Sequence, residues 1–351
     1  MRVEELLKQA VADQASDVFI VAGLPVSVRK NNTIRRTGEE RLLPPDTETL
    51  LKEIYELAGH RDFHVLETTG DDDFSFALQG VSRFRVSAYK QRGSYSAVIR
   101  IITFTLPDPA QLGIPESVLA LAHANNGMVL VTGTAGSGKS TTLACMIDRI
   151  NHTRQAHIIT LEDPLEYLHR HDHSIVSQRE INVDTENYVT ALRAALRQSP
   201  DVILLGEMRD YETIEVAMTA AETGHLLLST LHTLGAATTI DRIIDVFPAN
   251  QQHQIAIQLS TTLNAVVSQQ LIPSVTGELL PVFEIMTVTP AIRNMIRENK
   301  IPQIEGLLYS SSRPEMISMD ASILNLYRAG RISRDVSLSY ATNPDMLLKK
   351  L

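Results

Sequence analysis

One eight-residue segment, residues 133–140, limits what this chain can fold into more than any other part of its sequence. It reads Gly-Thr-Ala-Gly-Ser-Gly-Lys-Ser, which fits the phosphate-loop pattern of a glycine, four residues, and Gly-Lys-Ser or Gly-Lys-Thr. An apolar run at residues 128–132 precedes it, and apolar residues at helical spacing follow it. Strand, loop and helix in this order predict that backbone amides and a helix N-terminus face a bound anion.

The loop chemistry predicts a nucleotide and Mg²⁺ as ligands. Lys139 is expected to reach the outer phosphates, and the Ser140 hydroxyl is expected to complete the Mg²⁺ shell. The other interpretation, a glycine-rich turn with a surface lysine, is disfavoured by the flanking strand and helix. The predicted nucleotide-binding residues are Gly133, Thr134, Ala135, Gly136, Ser137, Gly138, Lys139, Ser140 and Thr141.

Length, charge and cysteine content exclude several classes of protein. The 351 residues are enough for roughly two domains. The formal net charge of -9 disfavours a protein that coats nucleic acid, so no direct nucleic-acid partner is expected. The single cysteine, Cys145, permits no internal disulfide and no multi-cysteine zinc site, and we expect it to pack as a small buried residue. Neither a secretory signal nor a membrane-spanning apolar run is apparent, so we expect a cytoplasmic protein without a transmembrane segment.

The pattern along the chain predicts an α/β protein with two domains. Residues 1–104 combine an amphipathic first helix with short β-rich runs and hairpin turns, which is typical of a small α+β domain. Prolines disfavour helix in residues 105–115, the predicted linker. In residues 116–351, apolar strands at 128–132, 157–161, 202–205 and 226–230 alternate with helices, which predicts a mostly parallel sheet covered on both faces. The end of this domain is predicted to be helical.

Polar residues accompany the other three predicted strands of the second domain. Glu162 and Asp163 follow one strand and Glu207 follows another, while His225 precedes the last strand and His232 follows it. Ligands of open parallel sheets lie outside the carboxyl ends of the strands, so these clusters are expected to share a crevice with the phosphate loop. Gly206 occupies a position where many nucleotide hydrolases have a metal-binding aspartate. Glu207 is therefore expected to act on Mg²⁺ through water, or on the attacking water.

Other polar residues have more than one interpretation. His225 and His232 could suggest zinc, but the sequence offers no third convergent ligand. Arg85 and Arg100 interrupt β-rich runs and by themselves fit an exposed sheet face. Five further residues fit a polar loop or a solvated helix stripe better than a metal or anion site. They are His169, His171 and His173 in the loop, with Arg193 and Arg197 in the stripe.

Together these motifs resemble the secretion and type IV pilus motor ATPases, and specifically the PilT-like retraction branch. Besides the phosphate loop, the resemblance rests on an acidic box at residues 159–166, an arginine-containing stretch leading to residues 206–210, and a histidine box from 221 to 233. Residues 291–296 are similar to the motif that marks retraction ATPases, with Met295 in place of leucine. Residues 16–20 read Ser-Asp-Val-Phe-Ile where this family usually has Ser-Asp-Leu-His-Leu.

The resemblance implies a PAS-like N-terminal domain, a RecA-like phosphate-loop domain and a homohexameric ring. It implies Mg-ATP hydrolysis coupled to pilus retraction, a platform protein of the inner membrane as partner, and a peripheral location at that membrane's cytoplasmic face. By position, Glu166 resembles the general base, Glu207 the second acid and His232 the γ-phosphate sensor. Arg85 and Arg100 resemble the arginines that reach the phosphates.

Two alternatives remain open from the sequence. One is an accessory pilus ATPase, or a ring ATPase of secretion or DNA traffic. The other is an adaptor that binds nucleotide without hydrolysing it, which the full set of acidic and histidine residues disfavours.

Overall fold

The computed structural model describes residues 2–30, 33–102, 104–311 and 313–351. The chain divides into two compact units. The first contains Met1–Thr105 together with Glu166–Leu168, and the second contains Leu106–Leu165 and His169–Leu351. Within the described residues, no helix is both long and apolar enough to cross a membrane.

The first unit is an antiparallel sheet with three helices. Its strands run in the order β3-β2-β1-β6-β5-β4. Alternate residues of the central strands are buried, and they form one core with the apolar faces of the helices. The elements are α1 (Val3–Ala12), β1 (Asp17–Ile20), β2 (Ser27–Lys30), β3 (Thr33–Arg36), α2 (Pro44–Leu57), α3 (His64–Thr69), β4 (Asp71–Leu78), β5 (Ser82–Gln91) and β6 (Ser94–Ile102).

The turn between β5 and β6 fixes the register of the two longest strands in this unit. Arg92 and Gly93 both have positive φ, at 49° and 78°, which is the backbone of a type I′ hairpin turn. The turn places Arg85 on β5 directly opposite Arg100 on β6. On β5, Phe84 and Val86 point into the core, so Arg85 between them lies on the opposite face of the sheet.

The second unit is an eight-stranded sheet in the order β14-β13-β12-β7-β11-β10-β8-β9. The six strands from β12 to β9 are parallel, and β13 and β14 add to one edge as antiparallel strands. The strands are β7 (Gly127–Thr132), β8 (His157–Glu162), β9 (Ile175–Glu180), β10 (Val202–Leu205), β11 (Leu226–Leu231), β12 (Leu263–Pro273), β13 (Leu279–Thr287) and β14 (Met316–Ile317).

Helices cover both faces of this sheet. Successive residues of β7 enter different cores: Met128 and Leu130 pack in one, and Val129 and Val131 pack in the other. The helices are α4 (Glu116–Leu119), α5 (Lys139–Thr153), α6 (Tyr188–Ala195), α7 (Tyr211–Glu222), α8 (Ala236–Asp245), α9 (Gln252–Thr262), α10 (Pro290–Arg297), α11 (Pro302–Ser310), α12 (Met319–Arg328), α13 (Arg334–Tyr340) and α14 (Pro344–Leu348). A 3₁₀ helix (Ala120–His123) follows α4.

The predicted fold class is confirmed. The four strands expected from apolar runs are present as β7, β8, β10 and β11, each within one residue of its predicted ends. Strands β9, β12 and β13 were not among the predictions because polar residues interrupt their apolar runs. The residues of the predicted linker from Leu106 to Pro115 group with the second unit. Ile114 is buried in the core of that unit, so part of the predicted linker packs with it.

Candidate functional site

The loop between β7 and α5 needs glycine at two positions for steric reasons. Gly133 has a φ of 145°, and a Cβ there would lie 2.2 Å from the backbone oxygen of Gln269. Gly138 has a φ of 90°, and its Cβ would lie 2.9 Å from Nε2 of the same glutamine. A side chain at either position would strain the backbone, and at Gly133 it would also collide with the backbone of β12. The two glycines therefore let the loop lie close to the sheet.

Gln269 is a residue that the sequence analysis missed. It lies on β12, is buried, and accepts a hydrogen bond at Oε1 from Thr142 Oγ1 of α5 at 2.8 Å. It therefore supports both the loop and the first turn of the helix. Its signal in the sequence is a polar residue inside an otherwise apolar run, but only the fold shows that this strand neighbours β7.

The polar groups of the loop fit a phosphate and a metal ion. Lys139 is 8% exposed, and its Nζ donates to the carbonyl oxygens of Gly133 at 2.9 Å and Thr134 at 2.8 Å. The ammonium group thus lies over the loop, where phosphate oxygens would be better acceptors. In the described part of the chain, the buried Ser137 hydroxyl has no hydrogen-bond partner. The Ser140 side chain is exposed at the start of α5, so its hydroxyl is accessible to a metal ion from solvent.

The carboxyl ends of the central strands meet at one edge of the sheet. The Gly133 amide donates to Leu231 O, and the Gly206 amide donates to Leu161 O at 2.8 Å. The Thr230 hydroxyl donates to Gly206 O at 2.7 Å. These bonds join the ends of β7, β11, β10 and β8, so the loops that follow them start side by side.

Glu207 and His232 are in direct contact at this edge. Glu207 Oε2 lies 3.2 Å from His232 Nε2, and its Oε1 pairs with the guanidinium of Arg209. The Glu207 side chain is 12% exposed, whereas the His232 side chain is 54% exposed. The hydrogen bond to Glu207 raises the pKa of Arg209 above its usual value. The carboxylate is thus held between two donors, both of which are exposed to solvent.

Gly206 has no room for the aspartate found there in many nucleotide hydrolases. A Cβ at Gly206 would lie 2.8 Å from the Tyr188 hydroxyl and 3.2 Å from Leu161 O. Burial, with the nearby acids Glu207, Asp163 and Glu162, raises the pKa of Tyr188, so this hydroxyl stays protonated. A side chain at Gly206 would therefore require the Tyr188 hydroxyl to move.

The acidic box is divided between the two units. Glu162 ends β8 and is half-buried, and the exposed Asp163 precedes Pro164 through a cis peptide bond. Glu166 is exposed and groups with the first unit, whereas Glu207 and His232 belong to the second. Of the five predicted catalytic residues, Glu207 and His232 are in contact within the second unit, whereas Glu166, Arg85 and Arg100 belong to the first.

His225 lies at the amino end of β11, the opposite end from His232. The strand between them has six residues, so roughly 20 Å of extended chain separates the two rings. His225 Nδ1 lies 2.9 Å from Ala220 O, and the residue links β11 to the end of α7. The two histidines therefore cannot bind one metal ion.

Arg85 and Arg100 lie on the outer face of the first unit's sheet. They are opposite each other in register, and Arg100 Nε donates to Asp17 Oδ1 at 3.2 Å. Arg100 is 63% exposed at its side chain, and Arg85 is half-buried. Both residues thus lie on one face of the sheet, with Arg100 exposed and Arg85 half-buried.

The comparison with known proteins decides the family. The family described as Type II/IV secretion system protein matches residues 1–279. The type IV pilus retractation ATPase PilT of Pseudomonas aeruginosa is 43% identical over 346 residues, which cover 98% of this chain and 99% of that protein. The chain belongs to the type II/IV secretion system protein family.

Two further members of this family match over nearly their whole length. The type IV pilus ATPase PilU of Pseudomonas aeruginosa is 37% identical, covering 99% of this chain and 90% of that protein. A crystal structure of the pilus retraction motor PilT with bound ADP superposes with a TM-score of 0.90 at 44% identity, and 99% of each chain is covered.

Helix α10, whose sequence is similar to the family's retraction motif, contacts the rest of the second unit through a polar side chain as well as its apolar face. Ile292 and Ile296 of α10 are buried, as its spacing predicts. Arg293 Nη1, however, donates to the carbonyl oxygens of Ser260 at 2.6 Å and Thr261 at 2.8 Å, at the end of α9. Arg293 is therefore an anchor for α10 and not part of a free polar face. Asn294 and Arg297 are exposed and do provide such a face.

The other histidines and arginines named from the sequence, and Cys145, have surroundings that fit structural roles. His169 is largely buried, and burial lowers its pKa to about 4. His171 Nδ1 accepts from the Val176 amide at 3.0 Å, and Arg197 donates to Arg193 O at 3.0 Å. Cys145 is buried in the second unit, which raises the pKa of its thiol to about 11. These positions fit the polar-loop, helix-surface and packing interpretations.

Proposed function

We propose that this chain is a motor ATPase that couples Mg-ATP hydrolysis to retraction of a type IV pilus. The observation that carries the proposal is the phosphate loop, with the Glu207 and His232 pair at the same sheet edge. The full-length similarity to PilT, whose crystal structure is described with bound ADP, supports both nucleotide binding and the retraction role.

Nucleotide phosphates would bind at the loop of residues 133–138 and the start of α5. The Lys139 ammonium would exchange its two carbonyl partners for phosphate oxygens, and the amides of the first helical turn would add donors. The Ser140 hydroxyl would coordinate Mg²⁺, and Glu207 would contact the ion through water. When bound, Mg²⁺ offsets negative charge on the phosphates and orients them for attack.

Glu166 would act as the general base. An exposed carboxylate can accept a proton from the attacking water while the water oxygen bonds to the γ-phosphorus. The bond between that phosphorus and the β–γ bridging oxygen breaks, so ADP leaves and inorganic phosphate forms. Glu207 is less suited to that role, because His232 and Arg209 already occupy both its oxygens. The two acids thus have different proposed functions.

His232 and two arginines would respond to the phosphates. His232 is exposed and hydrogen-bonded to Glu207. A bound γ-phosphate could accept the hydrogen bond of His232 in place of Glu207, which would free the Glu207 carboxylate. Arg85 and Arg100 would supply positive charge during phosphoryl transfer, a contribution that well-studied enzymes obtain from arginine fingers. Their role rests on the family resemblance and their position on an exposed sheet face.

The family resemblance also supports a homohexamer that acts on a platform protein of the inner membrane. The protein would then lie at the cytoplasmic face of that membrane without entering it. The accessory alternative draws support from the similarity to PilU.

Lys139→Ala tests the chemistry. We expect phosphate release to fall to the background level, because the group facing the outer phosphates is lost. Lys300→Ala is a matched control, since Lys300 is exposed in the same unit and pairs with Glu298 only at the surface. Steady-state phosphate release by Lys139→Ala at the wild-type rate would overturn the proposal.

A retraction assay tests the motor output. A strain lacking this gene should regain pilus retraction with the wild-type gene, and not with Asn294→Ala/Arg297→Ala, although that variant should keep most of its ATPase activity. Both side chains are exposed, so their loss spares the packing of α10. Complementation to normal retraction by the double variant would assign α10 to packing alone, and failure of the wild-type gene would favour the accessory alternative.

A further inference from the structure

The sheet of the first unit contains a buried carboxylate that the proposed function does not use. Asp17 lies on β1 and is 3% exposed. A buried carboxylate needs charged or hydrogen-bonding partners to offset its lost hydration. Its partners indicate what it does.

Asp17 lies between two arginines in a single cross-strand row. It is opposite Arg29 on β2 and opposite Arg100 on β6, and Arg100 is in turn opposite Arg85 on β5. Oδ1 accepts from Arg100 Nε at 3.2 Å. Oδ2 accepts from Ser16 Oγ at 2.8 Å and pairs with Arg29 Nη1 at 3.5 Å. Each oxygen thus serves one arginine.

The geometry of the Arg100 bond leaves the end of its side chain available. Asp17 engages Nε, at the base of the guanidinium, while the side chain is 63% exposed. A guanidinium is a planar fork, so a bond at Nε fixes the direction in which the two terminal nitrogens point. The carboxylate also separates the positive charges of Arg29 and Arg100, which would otherwise repel each other across the sheet.

We propose that Asp17 is a positioning residue that orients Arg100 toward the nucleotide phosphates. The inference rests on the proposed role of Arg100. Arg100 lies on the face of a sheet, so its contacts with neighbouring side chains set the direction of its guanidinium. Misplacement of a catalytic group by about 1 Å can reduce a rate by about 10²-fold, so loss of the carboxylate should affect turnover more than binding.

The test compares four variants of the full chain in steady-state ATPase assays: Asp17→Asn, Arg29→Gln, Arg100→Ala and Asp17→Asn/Arg100→Ala. We expect Asp17→Asn to lower kcat about 10- to 100-fold with an unchanged KM for ATP. The same substitution should have no further effect once Arg100 is absent. Arg29→Gln removes the other partner of the carboxylate and should leave kcat near the wild-type value.

The outcomes separate this inference from the proposed function. Normal kcat in Arg100→Ala would remove the arginine's proposed role, and the inference with it. Loss of activity in Arg100→Ala but not in Asp17→Asn would overturn the inference alone. Additive losses in the double variant, or an equal loss in Arg29→Gln, would show a general effect on the sheet and contradict it. If Asp17→Asn does not fold, Asp17→Glu serves instead, with the same nonadditivity expected.

Discussion

The two sheets of this protein hold their proposed functional side chains in different ways. In the second unit, Glu207 and His232 lie just beyond the last residue of buried parallel strands, in loops whose backbone is free to turn. In the first unit, Arg85 and Arg100 lie within long antiparallel strands, where the pleat fixes which face they occupy. A strand-end site is organised by its backbone, whereas a mid-strand site depends on neighbouring side chains.

The largest effect should come from the arginines of the first unit. Arg85→Ala/Arg100→Ala should lower kcat for ATP hydrolysis about 10³-fold or more, because an arginine that stabilises the transferring phosphoryl group contributes about 10³- to 10⁵-fold. Arg35→Ala/Arg36→Ala, on the exposed edge strand β3, is the matched control and should be nearly normal. A double variant at positions 85 and 100 with full kcat would mean that the antiparallel sheet has no part in the chemistry.

A smaller effect separates the two acids. Glu166→Gln keeps the shape of the side chain but removes its proton affinity, and it should lower kcat about 10²- to 10⁴-fold while ATP still binds. Glu207→Gln also weakens the contact with His232 and Arg209, so it should affect the Mg²⁺ dependence as well as kcat. Hydrolysis that survives Glu166→Gln and vanishes in Glu207→Gln would reverse the proposed roles. Phosphate release across an Mg²⁺ titration measures both.

The smallest effect concerns stability and pH. His169 has a pKa lowered to about 4 by burial, so the folded state keeps its ring neutral. Above pH 6.5, the ordinary pKa of histidine, the ring is neutral in both the folded and the unfolded chain. As the pH falls from 6.5 toward 4, the unfolded chain binds the proton and the folded chain does not, so the free energy of unfolding decreases. Between pH 6.5 and 5, the free energy of unfolding should fall by about 1 to 2 kcal/mol more for the wild type than for His169→Phe.

Urea unfolding at the two pH values measures this difference, and His64→Phe, at an exposed histidine, is the control. Equal pH dependence in the wild type and His169→Phe would mean that the buried ring does not resist protonation.

Local sequence signals predicted the second unit better than the first. The phosphate loop and its flanking elements are contiguous, so their pattern alone places Lys139 and Ser140. Contacts between distant residues could not be predicted in this way. Thr142 meets Gln269, and Asp17 meets Arg100, only because the sheets bring separate strands together.

We infer that the phosphate loop of the second unit binds the nucleotide and that the arginines of the first unit act in hydrolysis. The dissociation constant for a fluorescent ATP analogue in two variants tests this inference most directly. Lys139→Ala should bind the nucleotide much more weakly than the wild type, because its ammonium group is part of the phosphate loop. Arg85→Ala/Arg100→Ala should bind it with nearly wild-type affinity while failing to hydrolyse ATP. An equal loss of affinity in both variants would contradict the account, since the arginines would then serve binding and not turnover.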